Sequence, residues 1–271
     1  MRRLASPLVC LALLCLPLLA CPKPAPSNDD EAETETGEPP SCLDSEAPGP
    51  DIIINSNDDI ATLMLGECVP GKILVSGGAL TDISGLANLR EVGSLEIRYN
   101  PMLPSLTGIE GLERVDELIV VGNALITTLP EFPALTELGR VNVSTNAMLS
   151  SLGNFPQVTV SGGLTLGANP SLTSIDGLAG VSEFTGSLVL SGNPAITDFS
   201  GLAELAVVGG DLLIEDNPVL ADFGTPLLTT VGGDLHVISN SSLSECLVAD
   251  FVDQLDVGGA TLTSGNLMEA C

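Results

Sequence analysis

Residues 212–218 read Leu212-Leu213-Ile214-Glu215-Asp216-Asn217-Pro218, and this pattern of an apolar-x-apolar triplet followed by Asn returns along the chain. The recurring asparagines are Asn100, Asn123, Asn146, Asn169, Asn193, Asn217 and Asn240, at steps of 23, 23, 23, 24, 24 and 23 residues. A fixed period of this size indicates small structural units that are stable only when stacked on one another. The repeat therefore predicts a solenoid.

The triplets indicate strands, because alternation of apolar and variable residues is the period of a strand with one buried face. Triplets of this kind occupy residues 73–75, 95–97, 118–120, 141–143, 164–166, 188–190, 212–214 and 235–237, and residues 52–54 are a further candidate. When the units stack in register, the triplets form one long parallel sheet with one strand per coil.

The segments between the triplets also repeat, with an apolar residue at every third position. One such series is Ile196, Phe199, Leu202, Leu205 and Val208. A spacing of three drifts around an α-helix, which needs a period near 3.6. We therefore predict an all-β coil with several short sides and with positive-φ corners at glycines. The candidate corner residues are Gly108, Gly111, Gly177, Gly180 and Gly201.

The asparagine column is interpreted as structural. Asn tolerates the left-handed region, and its amide can bond to backbone groups inside a turn. At one strand spacing, about 4.8 Å, successive amides can also bond from coil to coil. The alternative is a ligand-binding role, which a buried ladder would disfavour because it leaves no polar edge free.

Both ends of the repeat region change character, which predicts short helical caps over the open ends. Near the start, Ser56 precedes Asn57, Asp58 and Asp59, a typical helix start with acidic residues in the first turn. Near the end, four apolar residues recur at helical spacing, namely Leu247, Val248, Phe251 and Leu255.

Four cysteines flank these two predicted caps, as the pairs Cys42/Cys68 and Cys246/Cys271. Four cysteines allow three pairings, and pairing within each cap joins residues that one coil brings close. The alternative, a metal site, needs a compact Cys/His cluster, and the single histidine, His236, lies inside a predicted strand. We predict disulfides and neither a metal nor a cofactor.

The N-terminus predicts export and lipid attachment. Residues 1–20 carry Arg2, Arg3 and a short apolar run, which is typical of a signal peptide. The sequence Leu18-Leu19-Ala20-Cys21 resembles the bacterial lipobox, which implies that Cys21 becomes lipidated; an ordinary cleavage site is the alternative. Residues 21–41 have the Pro- and Glu-rich composition of a disordered tether. These features predict a membrane-anchored lipoprotein of the bacterial cell envelope, with the outer membrane or cell surface as its candidate location.

The charge balance excludes one class of partner. The chain has 8 Lys and Arg against 35 Asp and Glu, with six Phe, one Tyr and no Trp. Such an acidic surface repels nucleic acid and anionic headgroups, and it offers bases no stacking platform. We therefore predict no nucleic-acid partner.

One unit reads Gly209-Gly210-Asp211-Leu212-Leu213-Ile214-Glu215-Asp216-Asn217-Pro218-Val219-Leu220. It resembles the repeat of the receptor L-domain family, found in insulin and epidermal growth factor receptor ectodomains and in bacterial surface lipoproteins. The resemblance covers residues 42–271, and the segments at Cys42 to Cys68 and at Asn240 to Cys246 are similar to that family's first and last coils. It implies a right-handed parallel β-solenoid, here of about eight or nine coils. It also implies a polypeptide ligand and no catalysis.

An ordinary leucine-rich repeat is the alternative architecture. The spacing of Val92, Leu95, Ile97 and Asn100 satisfies its general pattern. The apolar residue at every third position and the glycine-rich corners favour the straighter L-domain type.

The outward face of the predicted sheet is the candidate binding surface. Outward positions are normally polar, yet Ile119 and Val121 form one apolar cluster and Val189, Leu213 and Ile238 form another. Exposed apolar patches often mark contact surfaces, so we expect a protein or peptide ligand there. The alternative is strand propensity alone, since Val and Ile favour strands anywhere.

Two acidic pairs suggest a separate hypothesis. Asp211 and Asp234, and likewise Asp198 and Asp222, are expected to stack one coil apart. Neighbouring carboxylates can hold Ca²⁺, whereas the alternative is a solvated acidic edge.

Catalysis is not expected from this sequence. It has no Gly-x-Ser-x-Gly motif, no second histidine, and few basic residues to bind an acidic polysaccharide. The sequence therefore predicts a non-enzymatic, lipid-anchored recognition scaffold. The alternatives are a structural envelope rod without a dedicated ligand and a carbohydrate-active solenoid enzyme.

Overall fold

The computed structural model of this chain describes residues 41–44, 49–155 and 158–268. The predicted signal peptide (1–20), residues 21–40 of the predicted tether, Cys21 and Cys271 lie outside the described residues. No helix within the described ranges is both long enough and apolar enough to cross a membrane.

The described chain is mostly β, with parallel strands, and this part of the fold prediction is confirmed. The strands in the first half are β1 (Ile52–Ile54), β2 (Cys68–Val75), β3 (Glu91–Arg98), β4 (Arg114–Val121) and β5 (Glu137–Ser144). The later strands are β6 (Thr159–Val160), β7 (Leu164–Gly167), β8 (Glu183–Phe184), β9 (Leu188–Ser191), β10 (Val207–Val208), β11 (Leu212–Glu215), β12 (Thr230–Val231), β13 (Leu235–Ile238), β14 (Asp256–Val257) and β15 (Thr261–Ser264).

The pairing runs in sequence order up to β5 and then branches. Strands β1 to β5 pair consecutively and in parallel. Strand β5 pairs with both β6 and β7, which begin two arrays of short strands. One array continues through β8, β10, β12 and β14, and the other through β9, β11, β13 and β15. Each repeat therefore contributes to a parallel ladder, as the triplets predicted.

The branching coincides with a change of spacing in the sequence. In β5, Leu138 and Val141 are three residues apart, but their partners Val160 and Leu164 are four residues apart. The added residue interrupts the ladder as a bulge does, and two short strands follow in place of one of eight residues. Strand β2 has the same spacing between Val69 and Ile73, but there it produces only a register shift. The same four-residue spacing recurs between Val208 and Leu212. The later repeats therefore carry two strands each, so the expectation of one strand per coil is wrong for them.

The core consists of the strand triplets and the residues at every third position. Ile196, Phe199, Leu202, Leu205 and Val208 are all at most 1% exposed. They belong to one apolar cluster that extends from Ile54 to Phe251. The every-third pattern therefore identified the buried side of each turn.

The asparagine ladder is present, and it contains one member more than the sequence analysis found. The backbone N–H of each Asn from Asn100 to Asn240 donates to Oδ1 of the Asn in the next repeat, at 3.0–3.1 Å. Each Nδ2 donates to a strand carbonyl of the preceding repeat at 2.8–3.0 Å. Asn266 is the additional last member, and at the other end the N–H of Gly77 donates to Asn100 Oδ1.

The left-handed corner lies one residue before each asparagine. Positive φ angles of 53–71° occur at Tyr99, Gly122, Thr145, Ala168, Gly192, Asp216, Ser239 and Gly265. The expectation that the asparagines themselves are left-handed is wrong. The chain turns first, so the following Asn can point inward at strand carbonyls while its neighbour takes the strained conformation.

Most of the glycines proposed as corners serve a different purpose. Gly108 does have a positive φ, of 117°. Gly177 and Gly201 do not, but a Cβ at either would collide with a backbone carbonyl, of Gly153 and Ile175 respectively. These glycines permit close backbone approach between neighbouring repeats.

The corner position yields a stability prediction. Thr145 is an exposed β-branched residue at φ 59°, where a left-handed non-glycine residue costs roughly 1–2 kcal/mol. We expect Thr145→Gly to raise the free energy of unfolding by about 0.5–1 kcal/mol after the entropic cost of glycine. Urea unfolding followed by circular dichroism measures the change.

Gly192→Ala is the reciprocal control at the same corner position. An added Cβ there would approach the Ala168 nitrogen at 3.4 Å, an ordinary contact, so conformational strain dominates. We expect a loss of about 1 kcal/mol. Shifts of both variants in the same direction would contradict this account of the corner.

A short helix lies at each end of the repeat region, as predicted. Helix α1 (Asn57–Thr62) begins after Ser56, whose side chain accepts a bond from Asp59 N, while the Asp59 carboxylate accepts bonds from the backbone of Asn55 and Ser56. These bonds, first that from Asn55, lower the pKa of Asp59. Helix α2 (Glu245–Asp253) is capped by Ser244 and buries Val248 and Phe251.

Candidate functional site

The outward face of the sheet consists of two stacked columns of side chains. In-register pairing aligns Leu74, Glu96, Ile119, Asn142, Thr165, Val189, Leu213, His236 and Leu262 in the first column. The second column aligns Arg98, Val121, Ser144, Gly167, Ser191, Glu215, Ile238 and Ser264. The predicted columns therefore stack, and β15 extends each by one residue.

Ile119 and Val121 are not an exposed patch, so this part of the expectation is wrong. They are only 6% and 9% exposed. In the preceding repeat, Glu96 and Arg98 flank them and form a salt bridge at 2.8 Å. The long stems of such side chains cover apolar neighbours while their charged ends stay near water.

A polar pair flanks the same two residues on the other side. In the following repeat, Asn142 and Ser144 lie beside Ile119 and Val121, and Ser144 donates to Asn142 Oδ1 at 2.7 Å. Around Ile119 and Val121 the face therefore presents paired polar groups that cover them, whereas Ile53 and Leu74 at its N-terminal end are 59% exposed and half-buried respectively.

The second half of the face keeps apolar side chains at the surface. Val189, Leu213 and Ile238 are half-buried, and Leu262 is 49% exposed. We call these four residues the C-terminal patch. Their second-column neighbours in the preceding repeats include Gly167 and Ser191, which are too small to cover them. This patch is the candidate recognition surface.

Leu262 was missed by the sequence analysis although a signal for it exists. Gly258 and Gly259 repeat the earlier glycine pairs, and Asn266 closes the unit. The step from Asn240 to Asn266 is 26 residues because this unit also contains α2. The lengthened step concealed the last strand.

One polar contact adjoins the C-terminal patch. His236 Nδ1 lies 3.3 Å from Glu215 Oε1, and the two side chains are 29% and 28% exposed. His236 pairs with Leu213 on one side and Leu262 on the other. The patch therefore combines apolar area with an acid and an imidazole within reach of a ligand.

The acidic pairs proposed for Ca²⁺ accept backbone hydrogen bonds. Asp211 Oδ1 accepts from Asp234 N, and Asp234 Oδ1 from Ala260 N. Asp198 Oδ1 accepts from the hydroxyl and N–H of Ser200, which lowers the pKa of Asp198. These carboxylates therefore stabilise strand starts and turns.

A metal centre is not supported by the cysteines of the described chain. Cys42, Cys68 and Glu91 are the one group of three ligand-type atoms within 4.8 Å among the described residues. However, Cys42 and Cys68 are joined by a disulfide, with Cα atoms 6.3 Å apart. Cys246 is also disulfide-bonded, and Cys271, its predicted partner, lies outside the described residues.

Polar contacts hold the first disulfide against the sheet. The Glu91 carboxylate accepts bonds from Ser41 Oγ and Cys42 N, and Arg114 bonds to Asp44 at 3.0 Å. Although burial acts to lower it, the pKa of Arg114 is raised by the hydrogen bond to Asp44 and by the charges of Glu137 and Asp116. These contacts fix residues 41–44 to β3 and β4.

Comparisons with models of protein families, with curated proteins and with solved structures find no match to this chain. The site is therefore interpreted from its own residues.

Proposed function

We propose that this protein is a non-enzymatic recognition module at the bacterial cell envelope. In this proposal the chain is exported, anchored to the membrane through a lipid on Cys21, and joined to its folded part by residues 21–41. The folded part binds an extended protein or peptide segment on the C-terminal patch.

The exposure of the C-terminal patch is the observation that carries this proposal. Four apolar side chains of consecutive repeats remain at the surface, whereas Ile119 and Val121 in the same columns are covered. Ile53 and Leu74 form a smaller apolar pair at the other end of the first column. Solvent-facing apolar groups of this kind commonly form the centre of a contact surface. Glu215 and His236 beside them supply polar contacts at its rim.

The proposed architecture is a right-handed parallel β-solenoid of about eight or nine coils, similar to a receptor L domain. The parallel in-register pairing, the asparagine ladder and the helices at both ends support it. Modules of this architecture present extended binding surfaces, because each repeat adds one strip to the same face.

Leu213→Asp combined with Leu262→Asp tests the recognition surface. Neither residue is deeply buried, so we expect the double variant to fold and to lose its partner. The full chain, solubilised from the envelope in mild detergent, would serve as bait, with retained proteins compared by mass spectrometry. A partner held by the natural chain and lost by the variant supports the proposal.

Thr165→Asp is the matched control, because Thr165 is half-buried in the same column but lies outside the C-terminal patch. It is expected to retain the partner. Equal retention by the Leu213/Leu262 variant would contradict the proposed surface, and retention of no specific protein by the natural chain would favour the structural rod.

A further inference from the structure

One flank of the folded part carries no charge. It consists of the segments that follow the strands in four consecutive repeats, residues 99–107, 122–130, 145–153 and 168–175, and none of them contains Asp, Glu, Lys or Arg. We call these four segments the neutral flank. The whole chain has 35 acidic and 8 basic residues and a net charge of −27, so the flank is an exception to the charge of the rest.

The exclusion of charge is confined to these four repeats. Inside the flank, the fifth residue after each ladder asparagine is a serine or threonine, namely Ser105, Thr128, Ser151 and Ser174. In the repeats before and after the flank, the corresponding residues are Asp82, Asp198 and Asp222. Parallel β-bridges join Thr128 to Ser151, Ser151 to Ser174 and Asp198 to Asp222, so these positions stack. The repeat therefore tolerates an acid at this position, and its backbone does not explain the neutral flank.

Apolar side chains form a row along the flank. Met102, Leu125 and Met148 each lie two residues after a ladder asparagine and are 52%, 38% and 49% exposed. Because the ladder places one asparagine in each repeat, successive members of the row are about one strand spacing, roughly 4.8 Å, apart. The exposed ring of Tyr99 lies against Gly122, where a Cβ would collide with it, and adds an aromatic group beside the row.

Hydrogen bonds between repeats hold the flank in a fixed shape. The N–H and hydroxyl of Ser150 donate to the Thr127 carbonyl at 2.9 and 3.1 Å, and those of Thr173 donate to the Ser150 carbonyl at 3.0 and 3.2 Å. The Ser171 hydroxyl donates to the Ala147 carbonyl at 2.8 Å. These donors are used within the fold, so the flank is a preorganised surface that suits an apolar contact.

We infer that the neutral flank binds the same flank of a second copy of this chain. Two copies with a net charge of −27 each repel one another, and the repulsion is smallest where neither copy brings charge to the contact. The exposed apolar row supplies the attraction. A basic partner would instead be attracted to the acidic surfaces elsewhere.

The row is suited to a two-fold axis. Its members read Met, Leu, Met, so an axis at Leu125 places Met102 of each copy against Met148 of the other. The flexible methionine side chains can adapt to this contact. The flank has about twenty exposed or half-buried residues, and a stable interface uses roughly 20–30 a side. It shares no residue with the C-terminal patch, so the inference does not depend on the proposed function.

Leu125→Asp combined with Met148→Asp tests the inference. The purified full chain in mild detergent is measured by sedimentation equilibrium, with thermal melting to verify that the variant is folded. We expect the natural chain to be a dimer. We expect the variant dimer to dissociate about a hundredfold more readily or beyond, because the two-fold axis places four carboxylates in one apolar contact. A monomeric natural chain would overturn the inference.

Val219→Asp combined with Met268→Asp is the matched control. Both residues lie two positions after a ladder asparagine and are 40% and 84% exposed, but they lie outside the neutral flank. We expect this variant to weaken the dimer less than about threefold. Equal weakening by the two double variants would show that added charge, and not the flank, decides the association.

The salt dependence of the natural chain is an independent readout. Acids such as Glu131 and Asp176 lie just beyond the ends of the flank segments and repel their counterparts in the other copy. We therefore expect the dimer to become tighter as NaCl rises from about 20 to about 300 mM, since salt screens this repulsion. A dimer that weakens with salt would be held by charge pairs, which would overturn the neutral flank as the contact.

Discussion

Asn146→Ala is expected to lower the free energy of unfolding by about 4 kcal/mol, since it orphans two or more buried backbone and amide groups. Asn146 Oδ1 accepts bonds from the N–H and Nδ2 of Asn123, and its Nδ2 donates to the carbonyl of Val120. Every ladder asparagine is at most 7% exposed, so water cannot replace these bonds. Because each Asn serves two neighbouring repeats, the loss should also reduce the cooperativity of unfolding.

Asn142→Ala is the matched control, because it removes the same kind of side chain from the same repeat, in strand β5 four residues before Asn146. Asn142 is half-buried on the outward face, and its carbonyl oxygen accepts one bond, from Ser144 Oγ. We expect a loss below about 1 kcal/mol. Urea unfolding of both variants measures the difference. Equal losses in the free energy of unfolding would show that a ladder asparagine stabilises the fold no more than a half-buried surface asparagine.

Ile119→Asp is expected to be the more damaging single change, with a loss above about 4 kcal/mol that can prevent folding. Ile119 is 6% exposed, and its in-register neighbour in the preceding repeat is the acidic residue Glu96. A second carboxylate would therefore be buried beside Glu96, and the nearby cations Arg98 and Lys72 are already paired with Glu96. Thermal melting and the yield of folded protein measure the effect.

Leu213→Asp in the same column is the control for position. Leu213 is half-buried and is flanked by Val189 and His236. We expect a loss of less than about 1.5 kcal/mol and a folded protein. If Ile119→Asp were tolerated as well as Leu213→Asp, the conclusion that Ile119 is covered by its neighbours would be wrong.

The repeat could be predicted from spacing alone, because each asparagine and each triplet performs the same task in every unit. The ladder bonds from Asn100 to Asn240 join residues 23 to 27 positions apart, and only the bond of Asn266 in the lengthened last unit reaches 29. A near-constant period along the chain therefore becomes a near-constant height in the stack. The helices α1 and α2 could also be predicted from the sequence, since a helix start and a helical spacing are local signals. The last strand, β15, could not be predicted, because α2 lengthens the final unit and the regular spacing of the asparagines is lost there.

The residues of the candidate site could be predicted only in part from the sequence. Val189, Leu213 and Ile238 were identified, because outward positions follow from strand alternation. Leu262 was not, because α2 lengthens the last unit and conceals its strand.

The order of residues along the chain determined the period, the strand faces, the caps and the strongly acidic charge, all of which depend on local alternation and composition. Tertiary packing decided which apolar residues are exposed. Ile119 and Leu213 occupy the same column and are chemically alike, yet one is buried and the other partly exposed. The difference lies in their neighbours, since the long side chains of Glu96 and Arg98 flank Ile119, whereas the shorter Val189 and Ser191 flank Leu213 in the preceding repeat. Burial is a property of the side chains stacked above and below, and these become neighbours only when the chain folds.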